Sequence, residues 1–171
     1  MDKEIIVREV LKEDDLAMIE YLKKIGGESN FLTFGKGEVK KSVLEEREFI
    51  ENAIKNETSL FIVAESEGKI IGNLNFSTGK NSRIRHTGEF GVSVLKEYWG
   101  LGIGRKLIMH LIAWSKKNHI VRKINLRVRT DNYRAIKLYE SLGFVNEGTI
   151  KRDFLIDGEF YDSFSMGLCI D

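Results

Sequence analysis

Three glycines at alternate positions, Gly100, Gly102 and Gly104, separate a strand-like segment from a helix-like one and so restrict this part of the chain to a strand–turn–helix unit. Alternate glycines leave backbone N–H groups uncovered and let a ligand approach closely. The helix that begins there adds unpaired N–H groups and a positive dipole end, and Arg105 and Lys106 add charge just inside it. The pattern predicts a site for a phosphate or pyrophosphate.

The glycine spacing departs from two common nucleotide-binding patterns. No Ser or Thr follows Lys106, as the phosphate loop of NTPases requires for Mg²⁺. The third glycine comes one residue too early for G-x-G-x-x-G, and no acidic residue lies about 20 residues further on. A glycine-rich turn that binds no ligand therefore stays open as the simpler interpretation.

Hydrophobic periodicity predicts a single mixed α/β domain over residues 1–171, with the element order β-α-α-β-β-β-α-β-α-β-β. Apolar runs indicate strands at 5–10, 60–64, 69–76, 86–95 and 124–129, and the pair Asp157-Gly158 indicates a final hairpin. The helices are one ended by Gly26-Gly27, one capped by Ser42, one over 100–118, and one capped by Asp131 and closed by Gly143. We expect a central sheet of six or seven strands with about four flanking helices.

The composition excludes several classes of protein. With 42% hydrophobic and 31% charged residues, the 171-residue chain is typical of a globular domain and too hydrophobic to be disordered. Its apolar runs are too short to cross a membrane, its first residues lack the apolar core of a signal peptide, and its single cysteine excludes an internal disulfide and Cys-cluster zinc sites. We expect a cytoplasmic protein with no metal and no membrane partner.

Basic residues are concentrated in the segment 98–130, which holds eight Lys and Arg and no Asp or Glu, although the whole chain has a net charge of only +1. Such a block is either a solvated basic face or a surface that attracts anionic ligands. Nucleic acid is a disfavoured partner, because only Trp114 and His119 interleave with these charges and the rest of the chain is acidic.

Two motifs, in order along the chain, carry a family resemblance. W-G-L-G-I-G at 99–104 is followed by N-Y-R-A-I-K-L-Y-E-S-L-G-F at 132–144. They are similar to Q/R-x-x-G-x-G/A and N-x-x-A-x-x-L-Y-x-x-x-G-F of the GCN5-related N-acetyltransferase (GNAT) superfamily. The stretch E-G-T-I-K-R-D-F-L-I-D-G-E-F-Y-D-S-F-S-M at 147–166 resembles the closing hairpin of its polyamine and ribosomal-protein branches. Trp99 departs from the family's Gln or Arg, so a side-chain contact is lost there while the backbone of the loop is retained.

The resemblance implies an acetyl-CoA-dependent N-acetyltransferase that acts by direct attack of a primary amine in a ternary complex, with no metal. Acetyl-CoA would lie in the splay between the strands near Val94 and Ile124, with its pyrophosphate on the amides of the glycine loop. The positions implied to bind it are Val92, Ser93, Val94, Trp99, Gly100, Leu101, Gly102, Ile103, Gly104, Arg105, Asn132 and Ala135.

The resemblance also implies two catalytic residues. Tyr139 stands where the family's tyrosine protonates the departing CoA thiolate, and Glu89 stands where many members place a carboxylate that serves as the base. Each has a simpler interpretation: an aromatic on the apolar face of a helix for Tyr139, and a solvent-facing strand residue for Glu89. Phe31 and Phe34 would cover the acceptor site, or fold onto the core.

Several alternatives stay open from the sequence. The acceptor is a polyamine or other small amine, an amino acid, or a protein N-terminus, and the donor is acetyl-CoA or a longer acyl-CoA. A non-catalytic CoA-binding or regulatory module on the same fold is the alternative function. The oligomeric state is not fixed either, a homodimer included.

Overall fold

The computed structural model describes residues 3–171. Over these residues the chain forms seven strands and four α-helices, in the predicted order. The helices are α1 (Asp15–Glu28), α2 (Val43–Lys55), α3 (Ile103–Lys117) and α4 (Tyr133–Ser141). The strands are β1 (Ile6–Glu9), β2 (Leu60–Ser66), β3 (Lys69–Thr78), β4 (Thr87–Val94), β5 (Lys123–Arg129), β6 (Val145–Ile156) and β7 (Glu159–Cys169). No helix in this part of the chain is long and apolar enough to cross a membrane.

The strands form one mixed sheet in the order β1-β2-β3-β4-β5-β7-β6. All neighbours are antiparallel except β4 and β5, which run parallel. A parallel pair needs a crossover, which α3 supplies. The hairpins β2–β3 and β6–β7 turn at Glu67-Gly68 and Asp157-Gly158, whose φ angles of 51°, 76°, 51° and 80° match a type I′ turn.

The helices cover both faces of the sheet. The hydroxyl of Tyr21 on α1 lies 2.8 Å from Ser93 Oγ on β4, so Ser93 belongs to the face that α1 and α2 cover. Phe90 packs edge-on against Tyr139 of α4, with ring centroids 6.1 Å apart, on the opposite face. Because successive strand side chains alternate between faces, Glu89 shares the face of Ser93. We call these the α1 face and the α4 face.

Local packing explains where the predicted helix boundaries were wrong. Gly26 and Gly27 lie inside α1, because Gly26 packs where an added Cβ would come within 3.0 Å of the Gly35 carbonyl oxygen. Asn132, not Asp131, caps α4, because both carboxylate oxygens of Asp131 already accept bonds from Arg129. The capping box at Ser42 is confirmed: its Oγ accepts from Glu45 N–H at 3.1 Å and its own N–H donates to the Glu45 carboxylate at 2.8 Å.

Candidate active site

The parallel strands β4 and β5 pair over only three positions, from Thr87 opposite Lys123 to Glu89 opposite Asn125. Beyond them the strands separate, and the edge of β4 from Phe90 to Val94 has no partner strand on that side. A cavity of about 1220 Å³ opens at this gap, which we call the wedge. Its volume and uncovered strand edge suit an elongated ligand with amide groups.

The glycine loop forms one end of this cavity. Gly100 and Gly102 have φ angles of 83° and 75°, in the left-handed region, and Gly102 is the N-cap of α3. The first intrahelical bond runs from Lys106 N–H to the Gly102 carbonyl at 3.0 Å, so the N–H groups just before it lack a partner within the helix. An added Cβ at Gly102 would meet no atom within 4 Å. The loop therefore offers uncovered donors, a positive dipole end and space for an anion.

Trp99 anchors the glycine loop to the end of β4. Its indole N–H donates to the carbonyl of Val94 at 2.8 Å, and the guanidinium of Arg134 lies over its ring at 5.7 Å from the centroid. Arg134 and Arg105 bring two positive charges to this end of the cavity. The sequence suggested only a lost contact at Trp99; the fold gives its side chain a role in positioning the loop.

Tyr139 lines the wedge from the α4 face. It is 8% exposed and packs edge-on against Phe90 and Phe144. Burial raises the pKa of Tyr139 to about 12, because the apolar surroundings disfavour the phenolate. The hydroxyl is therefore protonated at neutral pH, as a proton donor must be.

Asn132 and Ala135 lie beside Tyr139 at the start of α4 and also line the cavity. The side-chain oxygen of Asn132 accepts from the Ala135 N–H at 3.4 Å, a long bond. This cap occupies the oxygen of the amide and leaves its NH₂ group for another partner.

Glu89 lines the wedge from the α1 face, on the opposite side of the sheet from Tyr139. Its carboxylate accepts a bond from Arg127 Nε at 3.0 Å, and Arg127 Nη1 donates to Asp153 at 3.2 Å. The bond to Glu89 is the main cause of a raised pKa of Arg127. This arrangement was not predictable from the sequence, because Glu89, Arg127 and Asp153 come from three separate strands.

A polar strip beside Glu89 was also missed. Ser93 Oγ donates to Asn73 Oδ1 at 2.8 Å and lies 2.8 Å from the hydroxyl of the buried Tyr21, whose pKa is raised by burial. Asn75 lies opposite Gly91, where an added Cβ would meet nothing within 4 Å, so the sheet is open to the cavity there. The alternation of Asn73 and Asn75 with buried Leu74 and Phe76 was a signal for this strip.

The loop 29–42 covers the α1 face of the cavity. Arg129 ties it to β5: it donates to the Asn30 carbonyl at 2.7 Å, and its guanidinium lies 4.8 Å from the ring centroid of Phe31. Phe31 and Phe34 both line the cavity, with Phe31 40% exposed. The other positions implied to bind cofactor also line it, except Leu101, which is 55% exposed and lies outside the wall formed by residues 3–171.

The basic block of 98–130 does not form one anion-binding surface. Lys123, Arg127 and Arg129 are paired with Glu147, Glu89 and Asp131, and Arg122 donates to backbone carbonyls. Of the eight basic residues only Arg105 lines the cavity at the glycine loop. Glu89 of β4, Glu147 of β6 and Asp131, just after β5, thus supply the negative charges that the linear block lacks. No group of three or more His, Cys, Asp or Glu in residues 3–171 is arranged to hold a metal ion.

Comparison with known proteins identifies relatives of this architecture. The sequence model of the Acetyltransferase (GNAT) family matches residues 28–144. The L-amino acid N-acetyltransferase AaaT of Escherichia coli is 32% identical over 61% of this chain and 65% of its own length. The spermidine N(1)-acetyltransferase of Vibrio cholerae is 31% identical over 60% and 58%. This chain thus spans less than two thirds of either enzyme.

Solved structures share the whole fold. A GNAT-family acetyltransferase from Streptococcus pneumoniae has a TM-score of 0.95 and 28% identity, over 98% of this chain and 100% of that one. The acetyltransferase YncA of Salmonella typhimurium, solved with its cofactor acetyl-CoA, has a TM-score of 0.85 and 21% identity, over 98% and 94%. At that identity the second likeness concerns the fold alone.

Proposed function

The chain belongs to the acetyltransferase (GNAT) family, and we propose that it transfers an acetyl group from acetyl-CoA to an amine in the wedge between β4 and β5. The observation that carries the proposal is that Glu89 and Tyr139 line one cavity from opposite faces of the sheet. An acyl transfer needs a base on the side of the nucleophile and an acid on the side of the leaving group. The wedge supports both at once.

The residues present fit acetyl-CoA. The uncovered N–H groups of Gly102 to Arg105, with Arg105 and Arg134, suit the pyrophosphate. The free edge of β4 from Val92 to Val94 suits the amides of the pantetheine arm and offers donors to the carbonyl oxygen. Asn132 has an NH₂ group left to donate to the same arm. When bound, acetyl-CoA supplies a thioester, which an amine converts to an amide.

In the proposed mechanism the amine approaches from the α1 face. Most alkylamines are protonated at pH 7, so the attacking nitrogen must lose a proton. Glu89 accepts it, directly or through water, while Arg127 holds the carboxylate in place. As the C–N bond forms and the C–S bond breaks, the Tyr139 hydroxyl gives its proton to the departing sulfur. The nitrogen then loses its second proton, which restores the Tyr139 hydroxyl through water, and Glu89 releases the first proton to solvent. The products are an amide and a thiol.

We propose an acceptor from the classes that the relatives represent: a small amine, an amino acid or a protein N-terminus. Two relatives are named for amino acids and for spermidine, and another for the alanine of ribosomal protein bS18. The acceptor would bind under the loop 29–42, beside Phe31 and Phe34.

The test is amine-dependent thiol release from acetyl-CoA across polyamines, amino acids and N-terminal peptides, with the acetylated product identified by mass. We expect release with one class and a raised melting temperature with acetyl-CoA alone. A raised melting temperature without release would favour a non-catalytic CoA-binding module. The absence of both thiol release and a raised melting temperature would contradict the cofactor assignment.

A further inference from the structure

The charges that line the cavity are divided between its two ends. Arg105 and Arg134 lie at the glycine loop. The remaining charged lining residues lie on the α1 face, beneath the loop 29–42, where we place the acceptor; they are Glu89, Arg127, Arg129, Asp131 and Asp153. Three carboxylates against two guanidinium groups leave this acceptor side with a net charge of −1. The walls next to it, Phe31 and Phe34, are apolar.

A bulge in β6 brings Asp153 into this set. Between Ile150 opposite Ser163 and Phe154 opposite Tyr161, three residues of β6 face only Asp162 of β7. Arg152 has a φ of 51° and its N–H donates to the Asp162 carboxylate at 2.9 Å, which holds the bulge. Bulges of this kind redirect side chains next to functional sites. Here the bulge lets Asp153 reach Arg127 on β5, two strands away.

Both arginines on the acceptor side already have carboxylate partners. Arg129 is 6% exposed and uses Nε, Nη1 and Nη2 on Asp131 and the Asn30 carbonyl. Arg127 is shared between Glu89 and Asp153, through Nε and Nη1. An acceptor carboxylate beside Glu89 would therefore approach two carboxylates, those of Glu89 and Asp153, and only one guanidinium group, that of Arg127. Like charges in close contact are strongly unfavourable.

Resting on the function proposed above, we propose that the Glu89–Arg127–Asp153 bridge selects acceptors that carry no carboxylate beside the reacting nitrogen. The acceptor class is a cationic amine on an apolar stem. The excess negative charge attracts the ammonium form, the apolar walls hold the stem, and Glu89 takes the proton. Asp153 acts through Arg127 as a specificity-determining residue, and it does not touch the reacting atoms.

The experiment compares amines with the amino acids that differ from them only by a carboxylate beside the single amine: phenethylamine with phenylalanine, isopentylamine with leucine, and isobutylamine with valine. We expect kcat/KM to favour the amine of each pair by about tenfold or more. The amino acid has the less basic nitrogen, so its larger neutral fraction works against this preference. In Asp153→Asn the preference should shrink at least about fivefold, while kcat with the best amine changes less.

Glu147→Gln is the matched control. Glu147 pairs with Lys123 across the same strand β7, at 2.8 Å, and neither residue lines the cavity formed by the described chain. This variant should keep the preference of the wild type. An amino acid that equals or exceeds its amine would overturn the inference, as would an unchanged preference in Asp153→Asn. The inference is also overturned if none of the six compounds supports thiol release. The proposed function itself fails only if the peptides and the wider panel of amines give no thiol release either.

Discussion

A single buried hydroxyl carries the acid side of the proposed chemistry. Burial alone raises the pKa of Tyr139, and no titratable neighbour contributes to the shift. Tyr139 is an aromatic on the apolar face of α4 that also lines the cavity, and its acid role stays a prediction. Substitution separates the packing role from the acid role, because Phe keeps the ring and removes the proton.

Tyr139→Phe should lower kcat about a hundredfold, the usual contribution of one acid–base residue. The dissociation constant for acetyl-CoA and the melting temperature should stay close to those of the wild type, since the ring contacts with Phe90 and Phe144 remain. Steady-state and single-turnover rates measure the loss of turnover, and calorimetry measures the dissociation constant and the melting temperature. Tyr161→Phe, outside the cavity wall of the described residues, is the control. Unchanged turnover in Tyr139→Phe would remove the acid role.

The raised pKa of Tyr139 fixes the sign of one pH effect. With a pKa of about 12, Tyr139 keeps its proton through the accessible range, so it causes no loss of activity as the pH rises to about 10. The neutral fraction of the amine grows over the same range. The expected profile of kcat/KM for the amine rises and then levels. A falling limb below pH 10 that disappears in Tyr139→Phe would contradict this assignment.

Glu89→Gln should lower kcat/KM for the amine about tenfold or more, because at least part of a general-base contribution is lost. The affinity for acetyl-CoA should not change. Glu65→Gln, which loses a similar 2.7 Å ion pair with Arg8 outside the cavity wall of residues 3–171, is the control. An unchanged kcat/KM in Glu89→Gln would assign the proton transfer to water or another residue.

At the scale of elements, the glycine loop is the part of the site that the sequence predicted most completely. The helix was predicted to begin at residue 100, but Gly100 and Gly102 have positive φ, so α3 begins at Ile103. The limits of prediction lie where a tertiary contact overrides a local rule. Gly26 and Gly27 continue the helix, with Gly26 packed closely against Gly35 of the loop, and Asp131 binds Arg129 instead of capping α4.

Gly102→Leu should weaken acetyl-CoA binding tenfold or more, because its side chain would fill the space before the uncovered N–H groups. The positive φ of 75° adds a backbone cost of about 1–2 kcal/mol. Gly68→Leu carries the same cost at a φ of 76°, in the β2–β3 turn, also with nothing within 4 Å. Isothermal titration and chemical denaturation compare the two. Equal affinities would show that the loop does not bind the cofactor.

At the scale of the whole molecule, strand order decides what the linear sequence hides. In the linear sequence the basic residues of 98–130 resemble an anion-binding surface. In the fold, β4, β7 and β6 lie on either side of β5 and bring acidic residues to them. Glu89 then meets Arg127, and Glu147 meets Lys123. The order of the elements was predictable from periodicity; the pairing of Asp153 with Arg127 was not, because it depends on a two-residue excess in β6.

The separation of β4 and β5 places a candidate base and a candidate acid on opposite faces of one sheet, with a continuous cavity between them. This arrangement allows donor and acceptor to be bound together, and it needs no nucleophile on the protein. A transfer through an acetylated side chain would instead release CoA before the amine binds.

Initial rates over a matrix of acetyl-CoA and amine concentrations test this directly. Direct transfer in the wedge predicts double-reciprocal lines that intersect, and no CoA release in the absence of amine beyond slow hydrolysis. Parallel lines, with a burst of CoA equal to the enzyme concentration before the amine is added, would contradict it.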